Sequence, residues 1–355
     1  MAEQSSIEWT DATWNPITGC TLVSDGCRNC YAAELATTRL RNHPSRAGLA
    51  RKNAAGEAKF TGEVRFNEQW LDQPLRWRRP RKIFVCAHSD LFHESVPNEW
   101  IDRVFAVMAL APQHTFQVLT KRPARAHEYL TADGGFGPWG RVEHHARHMA
   151  HIPPGKTLAT YGGSNLPNVW LGTSIEDQRT VDERLPHLVA APAAVHFVSY
   201  EPALGPADLA PWMHDSGCRF RAEGICTCCA PRETHLDWVI TGGESGRHAR
   251  PSHPDWFRRV RDDCAAAGVA YLHKQNGAWL AVEVGRDGEI SPPIPMAGFS
   301  RTRRWDGTSF VSPGDDANVR DVFAPGSALT FPVGKAAAGR LLDGREHNDM
   351  PEARS

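Results

Sequence analysis

Residues 82–120, KIFVCAHSDLFHESVPNEWIDRVFAVMALAPQHTFQVLT, hold the pattern that decides the fold. Ile83-Phe84-Val85-Cys86 is a short apolar run of the kind a buried strand needs, and Phe116-Gln117-Val118-Leu119-Thr120 is a second. Between them Pro97-Asn98-Glu99-Trp100 opens a segment that carries Ile101, Val104, Phe105, Val107, Met108 and Leu110 at helical spacing. Strand, helix, strand is the unit of a parallel sheet. Further along, Val169-Trp170-Leu171-Gly172, Val195-His196-Phe197-Val198-Ser199, Trp238-Val239-Ile240-Thr241 and Val269-Ala270-Tyr271-Leu272 repeat the strand pattern. A helix follows Pro254, with Trp256, Phe257, Val260 and Cys264 on one side and Gly268 as its stop. One more strand falls near the amino terminus, and no glycine-rich dinucleotide fingerprint follows the first strand. The expected fold is therefore α/β, a full or partial parallel (β/α) barrel rather than an open doubly wound sheet. Residues 1–295 make the barrel domain, with loop insertions at about 133–165 and 205–235, and residues 296–355 form a C-terminal appendage.

The chain of 355 residues is 41% hydrophobic, enough for one large core or two modest ones. Acidic and basic residues nearly balance, 41 against 40, so no global field favours nucleic acid. The run Arg76-Trp77-Arg78-Arg79-Pro80-Arg81-Lys82 has two readings, a solvated loop before a strand or a phosphate contact with Trp77 as a stacking surface. The amino terminus lacks the basic and apolar regions of a signal peptide and no apolar run has membrane-spanning length, which points to the cytoplasm. Nine cysteines, an odd number, argue for metal or redox use of some thiols rather than a disulfide framework.

Gly19-Cys20-Thr21-Leu22-Val23-Ser24-Asp25-Gly26-Cys27-Arg28-Asn29-Cys30-Tyr31-Ala32 sets three cysteines in a glycine-punctuated loop that leads into a helix. A closed zinc site takes four ligands, whereas an iron–sulfur cluster on three cysteines keeps one iron open. A zinc site completed by a distant His or Cys stays open as an alternative. Cys218, Cys226, Cys228 and Cys229 form a second group that either holds another metal or is a cysteine-rich insertion. His88, His93 and His253 are further possible ligands.

Polar residues also stand at each strand end, where the loops of a barrel converge on one mouth. His88, Ser89 and Asp90 end one strand and Thr120, Lys121 and Arg122 the next. Thr173, Ser174 and Glu176 follow, then Ser199 and Glu201, then Glu244 and Ser245, then Lys274 and Gln275. Asp90 also suits a helix cap, and Lys121 and Arg122 also suit a substrate phosphate or an ion pair with Glu176 or Glu201.

The cysteine loop resembles the cluster motif of the radical S-adenosylmethionine enzymes, whose cysteines are usually separated by three residues and then two. Here the separations are six and two. Asn29 stands where that superfamily commonly has an aromatic residue, and Tyr31 follows it. Cys86-Ala87-His88-Ser89-Asp90, Leu119-Thr120-Lys121-Arg122 and Gly172-Thr173-Ser174 resemble motifs of the spore photoproduct lyase branch. More closely, Trp14-Asn15-Pro16, Ser89-Asp90-Leu91-Phe92-His93, Gly242-Gly243-Glu244-Ser245-Gly246 and Gly339-Arg340-Leu341-Leu342-Asp343-Gly344-Arg345 are similar to a family of phage and bacterial three-Cys-motif proteins of unassigned function. Genes of that family often neighbour one for a three-Cys-motif partner protein.

The resemblance implies a [4Fe-4S] cluster on Cys20, Cys27 and Cys30. S-adenosylmethionine needs hydroxyl or carboxylate partners and a cation, which Ser89, Asp90, Lys121 and Ser174 supply, with Glu244 at the same mouth. The expected activity is reductive cleavage of S-adenosylmethionine and hydrogen abstraction from a substrate, a nucleic-acid base by analogy with the branch. Two other functions remain open. One is a non-catalytic metal-cluster or zinc module acting with a partner protein or phage DNA; the other is zinc-assisted hydrolysis with Glu176, Glu201 or Glu244 as base.

Overall fold

The computed structural model of the protein describes residue 5 and residues 7–132, 137–149, 165–213, 235–284, 290–291, 302–312 and 329–352. Seven parallel strands make the central sheet: β1 Ala12–Trp14, β2 Lys82–Val85, β3 Thr115–Thr120, β4 Val169–Ile175, β5 Val195–Tyr200, β6 Trp238–Gly242 and β7 Ala270–Gln275. Their spatial order is their chain order, and the sheet curls into a half-barrel with β1 and β7 as its edges. Of the two forms expected, full and partial, the partial one is found.

Helices α1 Tyr31–Thr37, α2 Asn98–Ala109, α3 Pro123–Leu130, α4 Trp139–His148, α5 Gln178–Ala190 and α6 Pro254–Ala267 lie in the crossovers. The apolar stripe of α2 is buried, Ile101, Val104, Phe105, Val107 and Met108 included. A capping box starts α5, the Asp177 carboxylate accepting from the Thr180 N–H at 2.9 Å. Gly268 ends α6 with φ of 68°, a left-handed turn that glycine adopts without strain.

Alternation along the strands sorts the side chains onto two faces. Ile83, Val85, Phe116, Val118, Leu171, Val198 and Val239 belong to the main core. Phe84, Trp170, Phe197, Trp238, Ile240 and Leu272 belong to a separate apolar cluster, which Trp9 joins. The Trp9 ring lies 4.7 Å from Phe84 and 6.1 Å from Trp238, so it bridges β2 and β6 and fills the curl. The β4/β5 register sets layers: Trp170 beside Val195, then Gly172 beside Phe197, then Ser174 beside Ser199. A Cβ on Gly172 would come 2.5 Å from the Phe197 ring, so only glycine leaves room for that ring. Two largely apolar layers, broken by the buried Gln117 amide that donates to the Trp9 carbonyl at 3.1 Å, thus lie beneath a hydroxyl layer at the C-terminal strand ends.

The C-terminal residues cover the free edge of β7. Asn348 bridges antiparallel to Leu272, the His273 N–H donates to the His347 carbonyl at 3.1 Å, and the Trp238 indole donates to the Asp349 carbonyl at 2.9 Å. Asp343 pairs with Arg258 at 2.7 Å and Arg261 at 2.5 Å on α6. A second, antiparallel sheet joins Trp279–Val284, Ile290–Ser291, Arg303–Trp305, Phe310–Val311 and Leu329–Pro332. Its first strand falls within the range the sequence assigns to the barrel. Among the insertions, α4 lies in the 133–165 stretch and its Arg141 Nε donates to Asp102 of α2 at 3.0 Å. Cys218, Cys226, Cys228 and Cys229 lie outside the described residues. No helix among the described residues is long and apolar enough to cross a membrane.

Candidate functional site

A cavity of about 580 Å³ opens at the C-terminal ends of the strands. Cys20, Cys27 and Cys30 line it on one side, and Ser89, Asp90, Lys121, Ser174 and Glu244 line it from four strand ends and loops. Every residue singled out above for a cluster or for S-adenosylmethionine therefore faces one space, of the size small-molecule sites occupy.

The cysteine loop is held from several sides. Gly19 has φ of 95°, and a Cβ there would lie 2.1 Å from the Glu63 carbonyl oxygen, so glycine is required for both conformation and space. The Ser89 hydroxyl donates to the Gly19 carbonyl at 2.5 Å. Gly26 packs so close to Glu176 that a Cβ would come 2.4 Å from its Oε1, while the Ser24 hydroxyl donates to that oxygen at 2.8 Å. Asn29 Nδ2 donates to Glu244 Oε2 at 3.1 Å and to the His248 carbonyl at 2.8 Å, tying the loop to the end of β6 and the residues after it. The Tyr31 hydroxyl donates to the Ala87 carbonyl at 2.5 Å.

The donor chemistry suits a cluster. All three thiols are free of disulfide bonds, and the neighbouring thiols add to the raised pKa of Cys20 and of Cys30. Burial, then the Asp90 charge, pushes the Cys20 thiol up to about 12. Cys30, the N-cap residue of α1, is raised by burial, offset in part by the nearby Ala33 and Ala32 N–H groups at the start of the helix. Arg122 Nη1 lies 3.8 Å from Cys20 Sγ. Among the described residues no three His, Cys, Asp or Glu side chains converge as they stand on a single metal ion.

Charges at the strand ends are paired. Asp90, 5% exposed, accepts from Thr120 Oγ1 at 2.7 Å, from the Lys121 N–H at 3.0 Å and from Arg122 Nη1 at 3.0 Å, tying the end of β2 to the end of β3. It also accepts from the Phe92 N–H at 3.0 Å, closing a turn rather than capping a helix, since the next helix begins at Asn98. Glu176, 1% exposed, pairs with Lys121 and, at 3.1 Å, with Arg184. Glu244 pairs with Arg250 at 2.6 Å, and Glu201 with Lys274 at 3.0 Å. A Cβ on Gly242 would meet Glu201 Oε1 at 2.4 Å, and one on Gly243 the Asn276 carbonyl oxygen at 2.3 Å, so these glycines serve close packing.

The open alternatives divide accordingly. Lys121 pairs with Glu176 rather than Glu201, and Arg122 pairs with Asp90 and Glu94 instead of either. His93 is buried with Nδ1 accepting from the Ser95 N–H at 3.1 Å and Nε2 beside Thr21 Oγ1 at 3.0 Å, and His253 caps α6 by accepting from Asp255 N–H at 3.1 Å; neither is disposed as a metal ligand. The basic run 76–82 enters β2 at its N-terminal end, opposite the cavity, and none of it lines the cavity. Trp77 is buried with Arg81 over its ring at 4.9 Å, so it offers no face to a base. Arg184, Arg250 and Arg46 complete the site without having stood out in the sequence, because nothing local marks an arginine whose partner lies on another strand.

The chain belongs to the family described as protein of unknown function (DUF5131), whose model matches residues 4–351. No curated protein matches the chain. No solved structure matches it either.

Proposed function

We propose that this protein is a radical S-adenosylmethionine enzyme whose cluster is held by Cys20, Cys27 and Cys30. The observation that carries the reading is the convergence of three free thiols from one loop and polar side chains from successive strand ends on one cavity. A [4Fe-4S] cluster bound there would supply the single electron that splits the sulfonium of S-adenosylmethionine, so that the carbon fragment can take hydrogen from a substrate. The protein's own residues do the rest. Ser89 and Ser174 offer hydroxyls; Lys121 has three N–H donors and keeps some for a carboxylate beyond its bond to Glu176. Asp90 and Glu244, engaged with Arg122 and Arg250, hold the wall and the cysteine loop in place. The two apolar layers below keep water from the floor of the site. For a nucleic-acid base as substrate, cations among the cavity lining such as Arg39 and Lys335, and not the 76–82 run, would meet its phosphate.

One observation favours a second reading, a metal module without catalysis that works with a partner protein or DNA: Asp90, Lys121 and Glu244 are all engaged within the protein. The test separates the two. The protein is purified without oxygen and reconstituted with iron and sulfide, and the electron paramagnetic resonance of the reduced state is recorded with and without S-adenosylmethionine, beside Cys27→Ala. The expected result is a cluster signal that changes on adding the molecule and is absent in the variant. A signal indifferent to S-adenosylmethionine, or a protein that takes up zinc and no iron, overturns the enzymatic reading.

A further inference from the structure

Arg46 is a buried cation without a carboxylate. It is 6% exposed, and no acidic side chain among the described residues pairs with it. Its Nε and Nη2 lie 3.3 and 3.0 Å from the same atom, Nδ1 of His88, and its Nη1 donates to the Ser45 hydroxyl. The Trp70 ring centre is 5.9 Å from the guanidinium carbon. Burial lowers its pKa to about 10, which leaves it charged at neutral pH. A guanidinium carries donors only. Nδ1 of His88 must therefore be the acceptor, and the ring proton of a neutral His88 must sit on Nε2. The His88 ring lines the cavity and its Nε2 has no partner among the described residues. Burial, then the Arg46 charge, pushes the imidazole down to about 4, so the neutral form prevails at pH 7.

We propose that His88 is a fixed, neutral N–H donor at the cavity wall, set in the Nε2–H form by Arg46, and that it receives a negatively charged oxygen, of a carboxylate or a phosphate, from the bound ligand. The guanidinium makes the choice of an anion. Arg46 polarises the ring from behind, which strengthens Nε2–H as a donor, and its uncompensated charge favours an anion on the far side of the ring. A buried cation left unpaired is costly, and an anion at Nε2 would offset that cost across one imidazole. The same geometry removes His88 from the candidate metal ligands, because the nitrogen left facing the cavity carries the proton. His88 is a binding residue here and Arg46 a positioning residue, and neither role depends on the nature of the metal at the cysteines.

The test uses the full chain with histidine labelled in ¹⁵N, the His88 signals being assigned by their loss in His88→Gln. At pH 7 the expected spectrum has a bare acceptor Nδ1 and a protonated Nε2 for His88. Arg46→Gln should mix the two tautomers, while Arg46→Lys, which keeps the charge, should retain more of the Nε2–H form. Acetate and orthophosphate are then added separately as probes. A shift of the Nε2–H signal with acetate assigns a carboxylate, with orthophosphate a phosphate, and in Arg46→Gln the response should weaken about tenfold, the order expected for losing one charge-assisted bond. A proton on Nδ1, a doubly protonated ring at pH 7, or no response to either anion in the native protein overturns the proposal. The wild-type spectrum alone decides the tautomer, even where a variant folds poorly.

Discussion

Replacing Glu176 by Gln should be among the most damaging single changes at the site, and the geometry gives the size. Glu176 is 1% exposed and its carboxylate serves Lys121, Arg184 at 3.1 Å and the Ser24 hydroxyl at 2.8 Å. The Arg184 side chain is itself 5% exposed, so the amide leaves a buried guanidinium facing a neutral group. Breaking a buried pair from one side costs about 3–5 kcal/mol; glutamine keeps one acceptor oxygen, which places the expected loss near the lower end, about 3 kcal/mol. With a urea slope of about 3 kcal/mol/M, that is a midpoint lower by about 1 M at unchanged slope. The control is Glu201→Gln, whose pair with Lys274 at 3.0 Å has side chains 13% and 21% exposed and should lose about 1 kcal/mol. Adding Arg184→Met to Glu176→Gln should restore part of the stability by removing the stranded charge. Urea unfolding followed by tryptophan fluorescence measures all of these. If Glu176→Gln costs less than about 1 kcal/mol, or no more than Glu201→Gln, the view of Glu176 as the buried anchor of the cysteine loop is wrong.

Other perturbations test other parts of the structure. Gly172→Ala should lose about 2 kcal/mol because its Cβ would lie 2.5 Å from the Phe197 ring, and Phe197→Leu in the same chain should recover some of that loss in thermal unfolding. His273 is fully buried between Thr241 and Asn276, and burial holds its imidazole down to about 4, below its value of about 6.5 in an unfolded chain. The unfolded state then binds the extra proton first, so stability is full above pH 6.5, falls as the pH drops through the window from 6.5 to 4, and loses about 3 kcal/mol there. Unfolding of His273→Gln over that window should show a flatter profile, and an unchanged slope would refute the assignment. Trp238→Phe should release the Asp349 carbonyl at a cost of about 1 kcal/mol and speed protease cleavage after residue 341; equal cleavage rates would mean that the C-terminal residues are held by other contacts.

Six of the seven strands were legible because each is a short apolar run, and they stand in the sheet in chain order. What the runs could not convey is which side chains fill the curl. Trp9 looks like an isolated aromatic residue near the amino terminus, yet it packs on Phe84, Phe197 and Trp238 from three different strands. The C-terminal stretch looks like an appendage because it has no strand-helix alternation, and its pairing with β7 is made through main-chain atoms, to which sequence is nearly blind. At the site, residue types at strand ends could be read, but partners could not. Ser24 and Glu176 are 152 positions apart and Asn29 and Glu244 are 215 apart, separations over which no local pattern carries information. Trp77 went the other way: its neighbours suggest a surface, and the fold buries it.

These pairings define the electrostatic setting of the thiols. Asp90, Glu176, Glu201 and Glu244 each face a cation of the protein, so these four carboxylates are neutralised within it. Burial raises Cys20 to about 12 and raises Cys30 as well, so without a positive partner these thiols stay protonated. A metal that binds three thiolates here must therefore displace protons, and the affinity of the loop should rise with pH. Arg122, the guanidinium nearest Cys20, is already held by Asp90 and Glu94 and is not free to pair with a thiolate. A loop built this way is poised between two neutralised states, protonated or ligated, and that is the property a three-cysteine cluster site requires of the protein around it.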